Sequence, residues 1–563
     1  KEKTVELTED GKYLVSYCDS PEMYVNGVWY YTTGTTYAQS FAYQNNYNAL
    51  LAAKELGIDI SDAAKLDSKE LCIFKRLMEQ LDKYDPIKVG LSGQVKEFRE
   101  EDYYGSLGNP NHRHISQLVG LLPGNIINSE TDAWMDAALV SLEGRNDGLT
   151  DWPNGTTATN EASIVAWAWA HKQAMYARAG EGDLAQQMLA GNLRNSTLEN
   201  LLMVCGKIFQ IEASSGTSAA IAEMLLQSDE EFIEILPAIP TNWDKGAYTG
   251  LVARGNYEVS VAWEDGVATK INLLSKLGGE VAIKYEGFDN VEVYNSKGEK
   301  INYKLSNDGI ITFDTVVGER YYIGGFKKVE RLEKPATIGF DRVNYSNFDL
   351  RWNKVDGAAK YNVYVAYEND PSYTFIGTTA DNSYVLTVAE GKQNVRKTFA
   401  VTAVDKNGVE SKRAICYSNP VSLDLEVYSV FWKIEDGKIV ATADANDSAG
   451  SVRLYEKSEN GFVLLAEEKG LSISVDYYAG KSYALSVVSK YTATESEIMT
   501  LTPENNADNI LNGKDFAFKN NIASVDLGEV YSLNELRFYI NTSSFEGNSL
   551  KIERLYKEPI PER

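Results

Sequence analysis

The sequence runs to 563 residues, 44% hydrophobic and 24% charged, which fits a soluble globular protein of roughly three or four domains. A net charge of −25 argues against a nucleic-acid or anionic-membrane partner, because both need basic surface, and leaves neutral ligands such as glycans open. No apolar run approaches the length of about 20 residues that spans a bilayer, so no membrane insertion is expected. Cys18, Cys72, Cys205 and Cys416 lie far apart without C-x-x-C spacing, which excludes a zinc ribbon or redox motif and gives no disulfide framework; no metal cluster is visible in the sequence and no cofactor is expected. The 35 tyrosines and 9 tryptophans suit sugar stacking and sandwich cores alike. Lys1-Glu2-Lys3-Thr4 shows neither an initiator Met nor a signal peptide, and reads as the interior of a longer protein.

Helical patterns dominate up to about residue 230. They are expected over Thr36–Leu56, Ser68–Tyr84 with Ser68 as N-cap, Ser129–Leu142, Asn160–Ala179, Asp183–Leu202 and Thr217–Gln227, each with apolar residues at helical spacing. Helices joined by long, motif-bearing loops suggest an α-toroid or bundle with chemistry at one rim. From Glu231 the pattern changes to short alternating runs such as Tyr257-Glu-Val-Ser-Val-Ala-Trp263, punctuated by Asp265-Gly266 and Asp308-Gly309 turns, which predicts an antiparallel β domain over 231–330. Residues 331–424 carry strands about ten residues apart, including Phe348-Asp-Leu-Arg-Trp352 and Lys397-Thr-Phe-Ala-Val-Thr-Ala-Val404, and resemble a fibronectin type III module. Residues 425–503 repeat that rhythm as a second sandwich. Residues 504–563 resemble the opening strands of a discoidin-like module, in which a calcium ion is a minor further expectation.

The chain has only three histidines, and two bracket an arginine in Asn111-His112-Arg113-His114-Ile115-Ser116-Gln117-Leu118. In an extended loop this alternation puts His112 and His114 on one side and Arg113 on the other; at a helix starting near Ile115 all three fan out over its N-terminal end. Imidazole and guanidinium donors suit hydroxyl-rich or carboxylate ligands. The other reading is a polar helix entry whose Arg113 pairs with a buried acid. Ser20-Pro21-Glu22 is similarly open, since Pro at the first helical position and Glu in the first turn also mark a helix start.

Four stretches taken together narrow the choice. They are Ser20-Pro21-Glu22, Gln94-Val-Lys-Glu97-Phe98, His112-Arg-His-Ile-Ser-Gln-Leu-Val-Gly-Leu-Leu-Pro-Gly124, and Phe209-Gln210-Ile211-Glu212 continuing to Leu236-Pro-Ala-Ile-Pro240 and Gly250-Leu-Val-Ala-Arg-Gly255. In order and spacing they resemble glycoside hydrolase family 95, the inverting α-L-fucosidases acting mainly on terminal α-1,2-linked fucose, some of which prefer α-L-galactose. The resemblance covers about residues 10–325. It implies an (α/α)6 catalytic toroid, here its C-terminal portion over 1–230, closed by the β domain at 231–330. It further implies Glu22 as general acid, kept protonated by burial, and Glu212 in the system that activates the attacking water. Arg113 and His114, with His112 and Glu97, would contact the sugar or support its subsite.

The departures from the family pattern matter as much. The family reads Phe-Gln-Ile-Asp-Gly-Asn-Phe-Gly where this chain has Phe209-Gln-Ile-Glu-Ala-Ser-Ser-Gly216, so its aspartate is one methylene longer here. Gln117 replaces the second histidine of a His-x-Ser-His pattern, and Asp151-Trp152-Pro153-Asn154-Gly155 replaces a shorter junction. The family's asparagine pair, and the first helices of the toroid, would precede Lys1.

The function these readings predict is exo-acting, inverting removal of terminal α-L-fucose or a related L-sugar from oligosaccharides or glycoprotein glycans. A secreted or cell-surface bacterial protein is expected, with cell-wall attachment through a region beyond Arg563. The alternatives are a catalytically impaired carbohydrate-binding protein on the same scaffold, or a modular surface adhesin.

Overall fold

The computed structural model describes residues 5–61, 72–145, 165–421, 423–446, 448–459 and 461–503, with Asn506 and the short paired strands Ala517–Lys519 and Ile522–Ser524. They fall into two compact units, Lys1–Val421 and Ser422–Arg563. The expected cap at Ser68, the 151–155 insert and nearly all of the discoidin-like stretch lie outside the described residues.

The first unit begins with the hairpin of β1 (Val5–Leu7) and β2 (Tyr13–Val15) and a smaller one of β3 (Tyr24–Val25) and β4 (Val28–Trp29). Six α-helices follow among the described residues: α1 (Thr36–Glu55), α2 (Cys72–Leu81), α3 (Asp132–Arg145), α4 (Ala166–Arg178), α5 (Gly182–Asn195) and α6 (Ile211–Leu225). Thr35 caps α1, its hydroxyl accepting from the Ala38 N–H at 3.4 Å. The centre of the body is α4, which packs against both α5 and α6. Its run of alanines lets them approach closely, and a Cβ on Gly191 of α5 would fall 2.5 Å from the Trp169 ring. Trp169, Met175, Tyr176 and Met188 are buried at this contact, each contributing of order 2 kcal/mol by removal from water. By themselves the described helices do not trace a closed (α/α)6 ring.

Two sequence expectations change here. From Ile115 only a single 3-10 turn forms, Ser116–Leu118. The chain then doubles back, because Gly120 accepts from both Ile126 and Ile127, at 2.8 and 3.0 Å, and Pro123 has no N–H to continue a helix. The helix expected to reach Leu202 ends at Asn195, and an antiparallel bridge pairs Thr197 with Met203.

After α6 the chain becomes β. One five-stranded sheet has the order Phe288–Asn295, Arg320–Phe326, Val267–Ser275, Tyr257–Glu264, Lys245–Ala253. It faces a second, ordered Lys304–Leu305, Ile310–Thr315, Gly279–Lys284, Ile233–Ile235, Leu226–Ser228. Alternate residues such as Val259, Val261 and Ile271 from the first and Ile283, Ile311 and Phe313 from the second meet in one dry core.

A sandwich follows within the same unit. Three strands ordered Ile338–Arg342, Asn347–Trp352, Ser383–Thr387 pack on four ordered Thr374–Thr379, Lys360–Tyr367, Lys397–Val404, Ala414–Ser418. The 3+4 pattern, with Trp352 and Tyr361 in the core, is the fibronectin type III arrangement. The second unit repeats it. Val427–Glu435, Lys438–Ala445 and Ser472–Asp476 form its small sheet; Gly461–Lys469, Ala449–Ser458, Ser482–Ser489 and Met499–Thr500 form the large one.

The first sandwich is fastened to the helical body. Arg413 binds Asp136 at 2.8 Å and Asp132 at 3.1 Å, both on α3. Beside it the Trp134 indole donates to the Asn369 carbonyl at 2.9 Å, and the Asn419 amide to the Leu91 carbonyl at 3.0 Å. Removing Arg413 leaves two half-buried carboxylates sharing no cation. Arg413→Ala is therefore expected to cost about 2 kcal/mol, and to split chemical unfolding of residues 1–421 into two transitions. A single transition at the wild-type midpoint would show that the ion pair is not the fastening.

Candidate active site

Residues 17–32 form a flap. At its base Cys18 and Thr32 exchange backbone hydrogen bonds of 2.8 Å, and at its tip Asn26-Gly27 turns the β3–β4 hairpin with φ of 53° and 77°. Between base and tip, Ser20-Pro21-Glu22 makes a tight turn in which the Met23 N–H donates to the Ser20 carbonyl at 3.0 Å. The segment starts no helix. Glu22 itself sits in the left-handed region at φ 60°, a sparsely occupied conformation costing of order 1 kcal/mol for a side chain other than glycine.

That backbone turn aims the Glu22 carboxylate at the His-Arg-His loop. One oxygen, Oε2, accepts from the Arg113 guanidinium and from His114 Nε2 at 3.0 Å. His112 and His114 lie side by side with ring centroids 4.9 Å apart, as alternation in a loop predicts, yet Arg113 reaches the same carboxylate. His112 is buried, and its Nδ1 accepts from the His114 backbone N–H at 3.2 Å. Burial pushes the His112 pKa down to about 3, so the ring is a neutral acceptor. Burial also lowers the pKa of His114, against the pull of Glu22. The Glu22 side chain is 43% exposed, so the enclosure expected of a general acid is not supplied by the residues around it here.

Beneath the flap lies a second, dry layer. Glu97 pairs with Arg145 at 2.8 Å and both are buried. The other oxygen of Glu97 accepts from Ser20 Oγ at 2.5 Å, and its backbone carbonyl from Thr36 N at 3.2 Å. Arg145 also donates to the Asn109 carbonyl at 2.5 Å and to Gln117 Oε1 at 3.4 Å. One ion pair thus holds the residue two before Glu22, the loop leading into His112, and the turn after His114. Glu97 is a supporting residue in this geometry, and Gln117 belongs to the same network. Behind them Lys172, fully buried, donates to the Arg145 carbonyl at 3.2 Å, and burial brings its pKa down to about 7. Glu101, accepting from the Glu97 and Gly105 N–H groups at 2.6 and 3.0 Å, is pushed up to about 7 by burial.

In front of the loop is a cleft of about 500 Å³ lined on one side by His114, Leu122 and α4, and on the other by α6. From α6 it takes Glu212, Gly216, Ala219 and Glu223, one helical stripe of i, i+4, i+7, i+11. From α4 it takes Trp167, Ala170, His171 and Ala174. Small residues open the floor, and a Cβ on Gly216 would stand 3.3 Å from that of Ala170. Glu212, in the exposed first turn of α6, and His114, bonded to Glu22, therefore share one cleft. The Trp167 ring meets the His114 ring edge-on at 4.9 Å.

Two lining residues escaped the sequence reading. His171 donates to the Leu122 carbonyl and is held near pKa 4 by burial, tying α4 to the His-Arg-His loop. Glu223 is clamped by Arg178 through contacts of 2.5 and 3.1 Å. The signal for both was their spacing: His171 follows Trp167 by four, and Glu223 follows Glu212 by eleven. Among the described residues no group of His, Cys, Asp and Glu is arranged to hold a metal ion.

A helical body whose cleft takes His114, Trp167 and Glu212, followed by antiparallel β domains, is the arrangement that two glycoside hydrolase family models match. Residues 2–225 match the glycosyl hydrolase family 95 catalytic domain and residues 227–323 the family 95 C-terminal domain, and over that span the chain belongs to glycoside hydrolase family 95. Residues 336–419 match the C-terminal domain of GH85 endohexosaminidases. Alpha-L-fucosidase 2 of Arabidopsis thaliana is 30% identical over 240 residues, covering 42% of this chain and 27% of that protein. Probable alpha-fucosidase A of Aspergillus oryzae is 27% identical over 300 residues, covering 49% and 38%. The chain thus spans well under half the length of these curated relatives. Among solved structures, a two-domain fibronectin type III segment of chicken tenascin is 15% identical with a TM-score of 0.15, covering 30% of this chain and 97% of that one. A Clostridium thermocellum Fn3-like protein is 29% identical, with a TM-score of 0.14, covering 16% and 94%. The strand order described above carries the fibronectin assignment.

Glu97→Ala strands a buried guanidinium and is expected to cost about 3–5 kcal/mol, whereas the exposed Glu212→Ala should change stability by less than about 1 kcal/mol; urea unfolding of each variant measures both. With only three histidines, proton NMR reads each ring. His112 and His171 should not titrate between pH 7 and 5, since their folded pKa values lie near 3 and 4. Both protonate at about 6.5 once unfolded, so together they lower stability as pH falls from about 6.5 toward 4. Glu101, near 7 folded and about 4.5 unfolded, opposes them between pH 7 and 4.5.

Proposed function

We propose that this chain forms the acid-bearing part of an exo-acting, inverting glycosidase that removes terminal α-L-fucose, α-1,2-linked, from oligosaccharide or glycoprotein glycans. In this reading the helical body is the C-terminal portion of an (α/α)6 toroid, and the protein acts outside the bacterial cell or at its surface. The observation that carries it is that His114, which binds the Glu22 carboxylate, lines the same cleft as Glu212. Glu22 is the general acid. Sugar hydroxyls take over the donors of Arg113 and His114, which releases the Glu22 carboxyl to meet the glycosidic oxygen. Glu212 belongs to the system that activates water on the opposite face. An inverting site holds its carboxyls about 6.5–9.5 Å apart so that this water fits between base and sugar. The small residues Ala213, Ser214 and Gly216 beside Glu212 give the longer side chain space to recede.

In the protein at full length, Glu22→Gln is expected to lower release of L-fucose from 2′-fucosyllactose by at least about a hundredfold. Release at the wild-type rate would remove Glu22 from the acid role. The one-methylene extension at Glu212 favours a second reading, a carbohydrate-binding protein with attenuated hydrolysis. Glu212→Asp separates the two: a large gain on fucosides means an attenuated site or one serving another sugar, and a collapse means a cleft tuned to glutamate.

A further inference from the structure

We propose that the flap carrying Glu22 is itself a binding surface, and that the stacked pair Tyr17 and Tyr31 receives the sugar ring on the leaving-group side of the scissile bond. This rests on the assignment of Glu22 as the acid and extends it to the other half of the substrate. A general acid protonates the glycosidic oxygen, so whatever that oxygen carries must pass beside the acid.

The flap that carries Glu22 also carries two aromatic pairs. At its base Tyr17 and Tyr31 stack at 4.9 Å with an interplanar angle of 6°, and toward its tip Tyr24 meets Trp29 edge-on at 5.0 Å. Glu22 lies between the pairs along the flap. Ordinary packing does not account for the base pair. Tyr17 is 80% exposed and Tyr31 48%, so little apolar surface leaves water. The Tyr17 backbone sits at φ 50°, where a bulky side chain is rarely found, and among the described residues its ring contact is the stack on Tyr31. The flap is nonetheless held firmly: the Cys18–Thr32 bridge sets the two tyrosines side by side, and the Trp29 indole donates to Asp19 Oδ2 at 2.6 Å. A rigid, exposed aromatic face offers the CH-rich face of a pyranose a stacking partner without ordering cost. The occupant is therefore a neutral hexose ring bonded to the departing oxygen, such as the galactosyl unit of a fucosylated lactose.

Saturation-transfer NMR on the protein at full length in a Glu22→Gln background, which leaves the probe uncleaved, tests this with 2′-fucosyllactose and free L-fucose as separate probes. With both tyrosines present, the fucosyl and the lactose protons of 2′-fucosyllactose should both receive saturation. Adding Tyr17→Ala or Tyr31→Ala should each lower the lactose-to-fucosyl saturation ratio about threefold or more, and adding Tyr17→Phe, which keeps the ring, should leave it unchanged. An unchanged ratio in both alanine variants, with fucosyl saturation intact, overturns the subsite alone. Absence of saturation from either probe overturns the fucose site and the subsite with it. A wild type that sediments as a dimer and a Tyr17→Ala variant that sediments as a monomer, with an unchanged ratio, would assign the pair to a second copy and overturn the proposal.

Discussion

The buried ion pair between Glu97 and Arg145 is the constraint on which the rest of the site depends. Two charges removed from water cost several kcal/mol, and only full hydrogen bonding around them makes the arrangement tenable. Here that satisfaction is drawn from the parts of the chain that must be held still: Ser20 from the flap, Asn109 from the loop before His112, and Gln117 from the turn after His114. An apolar pair of the same volume would fill the space without specifying where those loops go. The polar network does specify it, because each donor and acceptor has one place to reach.

From that anchor the site is built outward in layers. Above the ion pair, the left-handed turn at Glu22 and the His112–Arg113–His114 loop converge on a single carboxylate oxygen. Beside it, α4 and α6 pack on each other through alanine and glycine, which brings two helices close and leaves a cleft between their stripes and the loop. Small side chains thus do two jobs: they permit the helix contact, and they keep the floor of the cleft open. The neutral state of His112 and His171 fits the same logic, since His112 is a buried acceptor and His171 a half-buried donor to a backbone carbonyl, and desolvation disfavours the charged form of each.

The departures from the family pattern become physical once the neighbours are known. Gln117 stands in place of a histidine, and its side-chain carbonyl accepts from Arg145. Glu212 stands in the exposed first turn of α6, where the helix N-terminus favours an anion. The first sandwich is bound to α3 through Arg413 and to the loop at Leu91 through Asn419, so it braces the helical body within the same compact unit.

Periodicity and turn chemistry made much of the architecture legible in the sequence. The six helical stretches, the change to β near residue 230 and two sandwiches were readable because 3.6- and 2-residue patterns are local properties. Of the residues the motif stretches singled out, the structure joins Glu22 to Arg113 and His114 and sets His114 and Glu212 on one cleft. Local pattern did not reveal that Ser20-Pro21-Glu22 is a left-handed turn instead of a helix start, since the reason is its partner Arg113, 91 residues away. Nor did it show that Glu97 supports the loops from below, or that His171 and Glu223 face the cleft. Those outcomes follow from which side chains meet across the fold, and burial and ion pairing between distant segments exist only once tertiary structure has brought them together.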